Sequence, residues 1–235
     1  MAHQSFFNWS GGKDSALALF HSLGDPNYEI KKLLTNVNAA FDRISMHGVR
    51  VSLLEKQSEQ LGIPLQKILL PEEPSMEEYE KMMEVNLKLL IEEKYSHAFF
   101  GDIFLEDLRK YREQKLEKIG LNAVFPIWKR DTTELIKEFL GLGFKTIIVC
   151  VKSDLLDESF SGRVIDESFL NDLPKGVDPC GENGEFHSFV FDGPIFKEPI
   201  KFTVGEKIYK EYKAPDKEKE SMGFWFCDLL PEFSD

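Results

Sequence analysis

The sequence predicts an α/β protein, a parallel doubly wound sheet followed by a small mixed C-terminal domain. Three observations predict it. Strand-like and helix-like segments alternate through the first two thirds of the chain. A short apolar run near the N-terminus, Phe6-Phe7-Asn8-Trp9, ends in Ser10-Gly11-Gly12-Lys13-Asp14-Ser15 and turns straight into a helical pattern. Beyond residue 152 the texture changes to turns, glycines and short strand-like runs. A junction is therefore expected near 152, with residues 1–152 forming the main domain and 153–235 the smaller one.

The elements follow in order. After the first strand, residues 16–21 continue as a helix. Residues 30–37, rich in branched apolar side chains, read as the second strand. Residues 49–61 read as a helix with Val51, Leu54, Ser58 and Leu61 on one face. Pro64 opens a strand over 65–70, which Pro71 and Pro74 stop. Ser75 is a suitable N-cap for a helix running to about residue 94. Residues 97–100 form a short strand ending at Gly101, residues 106–119 a helix, and residues 123–125 a further strand. Asp131 or Thr132 caps a helix that Gly141 and Gly143 end. Residues 145–151, Lys-Thr-Ile-Ile-Val-Cys-Val, are apolar on both faces and read as a buried parallel strand. Residues 153–173 read as helical pieces and loops, 188–191 as a short strand, and 213–221 as a solvated turn between two strands. Phe224-Trp225-Phe226 reads as a packed C-terminal strand, with a subunit contact in a homo-oligomer as the alternative. Ligands of such sheets bind at the carboxyl ends of strands, where strand order reverses. Ser10, residues 36–38 and Gly101-Asp102 all follow strands and so converge on one edge.

Bulk properties bound the function. The 235 residues carry a net charge of −12, which argues against a nucleic-acid backbone as the main partner. No apolar stretch approaches the ~20 residues of a membrane span, and the first strand begins without a signal-peptide pattern. A cytoplasmic location is expected. Cys150, Cys180 and Cys227 are widely separated. No Cys-x-x-Cys pair indicates a zinc clip or a redox couple, and reduced thiols are expected.

Residues 10–15 form a candidate anion site. Gly11 and Gly12 let the backbone approach a ligand closely, and the first N–H groups of the following helix lack intrahelical partners at the positive end of its dipole. Together these favour a phosphate. Lys13 adds a charge, and Ser10 and Ser15 add hydroxyls. The spacing is neither that of Walker A nor of Gly-x-Gly-x-x-Gly. Ser-Gly-Gly-Lys-Asp-Ser after a first strand resembles the PP-loop of the ATP pyrophosphatase superfamily, adenine nucleotide alpha hydrolase-like in fold. The resemblance implies cleavage of ATP between its α- and β-phosphates and adenylation of an acceptor oxygen.

A second constellation is Gly181-Glu182-Asn183-Gly184-Glu185-Phe186-His187. Two carboxylates three residues apart can position a metal, bind an ammonium or act as a base; an acidic surface turn capped by its own backbone is the alternative. This run, with Phe191-Asp192-Gly193-Pro194-Ile195-Phe196, Gly101-Asp102-Ile103, residues 107–113, Gly120-Leu121 and Pro126-Ile127-Trp128, resembles the diphthine–ammonia ligase family of PP-loop ATPases over about residues 5–203. One departure is Asn183, where the family has glycine; asparagine tolerates left-handed geometry.

The resemblance implies an amide-forming ligase that uses ATP, Mg²⁺ and ammonia. Its carboxylate acceptor is diphthine on elongation factor 2 or, in a bacterium, a small metabolite or cofactor acid. It implies that Ser10, Gly11, Gly12, Asp14 and Ser15 hold the phosphates while Lys13 neutralises charge in catalysis. Asp14 either holds Mg²⁺ or caps the helix. Asn36 and Asn38 either edge the adenosine pocket or make a structural turn. Asp102 binds Mg²⁺ or the ribose, and Glu182 and Glu185 orient or deprotonate ammonia on the acceptor side. His47 and His187 are site candidates, with structural roles as the alternative. Two competitors remain: a nucleotide sensor without chemistry, and a tRNA-thiolating relative. The acidic charge and the missing Cys-x-x-Cys weigh against the latter.

Overall fold

A computed structural model describes residues 2–44, 48–212 and 221–232. The first half alternates as the apolar patterning predicts: β1 (His3–Asn8), α1 (Lys13–Leu23), β2 (Tyr28–Asn38), β3 (Arg43–Ile44), α2 (Val51–Leu61), β4 (Leu65–Leu70), α3 (Met76–Glu92), β5 (His97–Phe99), α4 (Glu106–Glu117) and β6 (Asn122–Val124). Local chemistry sets the boundaries. Ser75 and Glu78 form a capping box: the Ser75 hydroxyl accepts from Glu78 N–H, and the Glu78 carboxylate accepts from Ser75 N–H. Gly62 ends α2 at φ +69°. Asp131 caps α5 (Thr132–Gly141) by accepting from Glu134 N–H at 3.0 Å.

The first sheet is mainly parallel. β1 lies between β2 and β5, β6 continues beyond β5, and β4 pairs β2 on the side away from β1. The chain leaves β1 to build β2 and β4 on one side, then returns to the other for β5. Strand order therefore reverses beside β1, and the carboxyl ends of β1 and β5 flank the switch point where a ligand is expected. The short β3 adds antiparallel to the far end of β2.

A second sheet has the order β8-β7-β10-β9 and is antiparallel throughout, from β7 (Lys145–Lys152), β8 (Phe186–Asp192), β9 (Phe202–Tyr212) and β10 (Met222–Pro231). This corrects the expectation that residues 145–151 extend the parallel sheet. β7 is apolar on both faces because it is central in its own sheet and covered on both sides. A buried apolar run does not by itself distinguish the two arrangements. Between β7 and β8 lie a 3-10 turn, Glu158–Phe160, and α6 (Glu167–Asp172).

One apolar core joins the two sheets. Phe7, Trp9 and Leu17 from the first half pack in the same cluster as Ile148, Phe186, Phe189 and Cys227 from the second. Phe224, Trp225 and Phe226 are half-buried on β10. All three cysteines are free thiols and buried, and burial pushes Cys150 up to about 12. Among the described residues no helix is long and apolar enough to cross a membrane.

Candidate active site at the carboxyl edge of the sheet

The glycine-rich segment leaves β1 and is braced from three directions. Trp9 N–H donates to Leu34 O on β2. Gly11 adopts φ +77°, and a Cβ there would stand 2.7 Å from Gln57 Oε1; glycine meets both demands. The Gly11 carbonyl accepts from Gln57 Nε2 at 3.0 Å and from Val190 N–H on β8 at 2.9 Å. Gly12 is the extended N-cap of α1, so the first N–H groups of the helix face the switch point. Hydroxyls line the same turn: Ser10 Oγ donates to Ser15 Oγ at 3.0 Å, and Ser15 Oγ also donates to Gly12 O at 2.9 Å. Gly101 closes the site from β5. A Cβ on it would meet Ser15 N at 2.9 Å and Asp14 C at 3.0 Å.

Lys13 is not an exposed loop residue. It is the first residue of α1 and 3% exposed. Its ammonium donates to Asp14 Oδ2 at 2.7 Å and to Cys180 O, and lies 5.3 Å from the centre of the Phe186 ring. Burial works to lower its pKa, but Asp14 and neighbouring acidic groups leave it above the ordinary value, so the side chain is charged. Lys13 N–H donates to Ser188 Oγ on β8 at 3.2 Å. The first turn of α1 is thus tied to the late turn by both backbone and side chain. Asp14 does not cap the helix, since Gly12 does so without a side-chain bond; burial raises its pKa against the pull of Lys13.

The late turn folds around Asp178 and Glu185. Asp178 Oδ1 accepts from Cys180 N–H at 2.8 Å, and its Oδ2 accepts from Thr132 Oγ at 2.7 Å. Gly181 and Gly184 carry the positive φ values, +67° and +84°, so Asn183 needs no left-handed conformation. It instead donates from Nδ2 to Glu185 Oε1 at 3.0 Å, beside Asp178 N–H at 3.1 Å. The turn is therefore not an acidic surface loop: Glu185 is 3% exposed, and its Oε2 is buried without a hydrogen-bond partner among the described residues.

Glu182 reaches across to the loop after β5, where Oε1 accepts from Ile103 N–H at 2.7 Å and Phe104 N–H at 3.3 Å. Burial, reinforced by the charge on Asp14, outweighs these bonds and pushes Glu182 up to about 7. The folded protein then holds a proton that the unfolded chain releases near 4.5. Raising the pH from about 4.5 to 7 should erode stability by about 3 kcal/mol at most, with no further loss from this group above 7. Thermal unfolding across that range should show the slope, and Glu182→Gln should flatten it.

Asp102 follows β5 and pairs with Arg112 of α4 at 3.3 Å, while its Oδ2 is buried without a hydrogen-bond partner among the described residues. Burial raises its pKa, and the charge on Asp14 adds to the effect. Arg112 stacks over Phe100 at 4.4 Å. Asn36 is half-buried on β2, two residues beyond the level of Asn8 and on the same edge. Asn38 is used by its own turn, accepting from Ala40 N–H and donating to Glu72 O. His187 lies on β8; burial, with the Lys13 charge adding, pushes it down to about 4 and keeps it neutral. His47 lies outside the described residues. Among the described residues no group of three His, Cys, Asp or Glu side chains is arranged to hold a metal. The structure thus brings together Ser10, Gly11, Gly12, Lys13, Asp14, Ser15, Asp102, Glu182 and Glu185, and sets Asn36 further along the edge.

Sequence reasoning missed Gln57, Asp178, Ser188 and Arg112. One signal was available for Gln57: it shares the apolar face of α2 with Leu53 and Leu54, where an amide needs a buried purpose.

Known proteins match the sequence over most of the chain. Residues 3–123 match the family model of the diphthamide synthase N-terminal domain, and residues 131–220 match that of the diphthamide synthase C-terminal domain. A bovine protein named diphthine–ammonia ligase is 31% identical over 138 residues, covering 56% of this chain and 51% of the bovine protein. The zebrafish protein of that name is 26% identical over 220 residues, covering 85% and 86%. The fission yeast one is 24% identical over 236 residues, covering 89% and 39%. The chain spans about half the length of the mammalian relatives it matches. With both domain models matched in order, the chain belongs to the diphthamide synthase family.

Proposed function

We propose that this protein is an ATP-dependent amide ligase that adenylates a carboxylate and passes the acyl group to ammonia. One observation carries the reading: the glycine-rich helix start and the carboxylate-bearing late turn are joined through Lys13, whose ammonium meets the Cys180 carbonyl. A nucleotide site and an acceptor site in contact are what a two-step transfer requires. Three features support ATP as the nucleotide: the helix N-terminus, the hydroxyls of Ser10 and Ser15, and the family relationship.

In the first step an acceptor carboxylate oxygen attacks the α-phosphorus of ATP and pyrophosphate leaves. The N–H groups that follow Lys13 in the first turn of α1 and the Ser10 and Ser15 hydroxyls hold the phosphates, and the buried charge of Lys13 offsets charge building on them. In the second step ammonia attacks the acyl carbon, AMP leaves with the carbon–oxygen electron pair, and nitrogen gives up a proton. Glu182, which titrates near neutrality, and Glu185, with a buried free oxygen, are the groups that orient ammonia and receive that proton. Asp102 and Asp14 suit Mg²⁺, because Asp102 Oδ2 is a buried oxygen with no hydrogen-bond partner among the described residues and this ion usually takes one or two carboxylates with phosphates and water. Bound there, Mg²⁺ would neutralise phosphate charge.

The acceptor we favour is the diphthine group that the relatives' names print, carried on elongation factor 2; a small acid is the alternative. A cytoplasmic setting agrees with three reduced thiols. The test is to incubate the protein with ATP, ammonium, Mg²⁺ and elongation factor 2 carrying diphthine, and to follow AMP, pyrophosphate and acceptor mass. AMP and amide should appear one for one, the acceptor losing about one mass unit. ADP as the product, or nucleotide binding with neither AMP nor amide from any carboxylate, would overturn the reading.

A further inference from the structure

We propose that Gln57 is a positioning residue for the nucleotide: its side-chain amide turns the Gly11 carbonyl away from the anion site and so aims the Gly12 N–H into it. This inference rests on the reading that the glycine-rich turn binds ATP. Gln57 is 0% exposed and belongs to α2, which contributes no residue to the motif itself. Its amide is fully used. Oε1 accepts from Trp9 Nε1 at 2.8 Å, while Nε2 donates to Gly11 O at 3.0 Å and to Val190 O at 2.7 Å. The orientation of the amide is forced: an indole N–H can only donate, and two carbonyls can only accept.

The consequence lies in the Gly11–Gly12 peptide. It is trans, so its C=O and N–H point in opposite directions. Drawing the oxygen toward Gln57 and Val190 therefore sends the N–H the other way, to the side of the Ser10 hydroxyl, where it donates to Ser10 Oγ at 3.3 Å until an anion takes that oxygen's place. Glycine at φ +77° offers little resistance of its own to a flip of this peptide. A flipped peptide would present an oxygen to phosphate where a donor is needed. Gln57 also bonds Val190 O while Val190 N–H bonds Gly11 O, so a single amide triangulates the turn against β8.

The full chain is compared with Gln57→Met and Gln57→Glu by calorimetric titration with ATP and Mg²⁺, with unfolding temperature recorded alongside. Gln57→Met keeps the volume but offers no donor and only a weak thioether acceptor; its Kd for ATP should rise about tenfold or more, while KM for the acceptor stays unchanged. In Gln57→Glu a protonated carboxyl can accept from Trp9 and donate to one carbonyl, whereas a carboxylate can donate to neither. The ratio of its ATP Kd to that of the parent should therefore rise between pH 6 and pH 8.5. A folded Gln57→Met that binds ATP within twofold of the parent overturns the inference. If that variant does not fold, the ratio for Gln57→Glu decides, and an equal ratio at both pH values overturns it. A parent protein that binds no ATP overturns the underlying reading as well, whereas a parent that binds while the variants match it overturns this inference alone.

Discussion

Gly101→Ala is expected to reduce AMP formation by about 100-fold or more and to lower the unfolding temperature by several degrees. The added methyl would lie 2.9 Å from Ser15 N and 3.0 Å from Asp14 C and Ser15 Cα. All three are backbone atoms of the first turn of α1, so no flexible side chain can yield. Either β5 or the helix start must move. Overpacking of this kind costs about 1–3 kcal/mol. The effect on activity exceeds the effect on stability because the helix start is where phosphates would be held, and a displacement of about 1 Å can remove about two orders of magnitude of rate. Rates with saturating ATP, measured well below the unfolding temperature, separate the two effects. A variant that turns over normally would show that the helix start does not need its present position against β5.

Glu185→Gln is expected to leave ATP affinity within about threefold of the parent and to reduce amide formation by about 100-fold or more, the range of a lost general base. The substitution is nearly isosteric. Its oxygen can keep accepting from Asp178 N–H and Asn183 Nδ2, so the turn should survive. What changes is the other carboxylate oxygen, buried without a hydrogen-bond partner among the described residues. That atom is free to take a proton or to bind an ammonium-like nitrogen, and a carboxamide NH₂ can do neither. Amide formation at the parental rate would assign Glu185 to holding the turn only. Loss of ATP affinity in the same variant would instead mean that the turn had collapsed onto Lys13.

Much of the fold was legible because it rests on local signals. Ser75 with Glu78, Asp131 and the Gly62 stop mark helix ends by hydrogen bonds made within a few residues. The edge on which Ser10 and Asp102 meet follows from parallel strands alone. What was not legible depends on long-range pairing. β7 has the composition of a buried strand in either kind of sheet, and only its partners β8 and β10 make it antiparallel. Lys13 read only as a charge added to the anion site; its burial depends on Cys180 and Phe186, far along the chain. Asn183 read as a left-handed replacement for glycine, yet the positive φ values fall on its neighbours Gly181 and Gly184. Gln57 carried no motif at all, because its purpose exists only once Trp9, Gly11 and Val190 are gathered around it.

The braces supplied by β8 bear on how this chain can be divided. Ser188 and Val190 reach the glycine-rich turn from roughly 175 positions away. A truncated product stopping at residue 123 would keep the whole glycine-rich motif and the N-terminal family match, yet lose the strand that holds the motif in shape. Shuffling the two halves between relatives therefore means exchanging parts of a single machine, and a chimaera needs its seam refitted at Gly11 and Lys13 before either half can work.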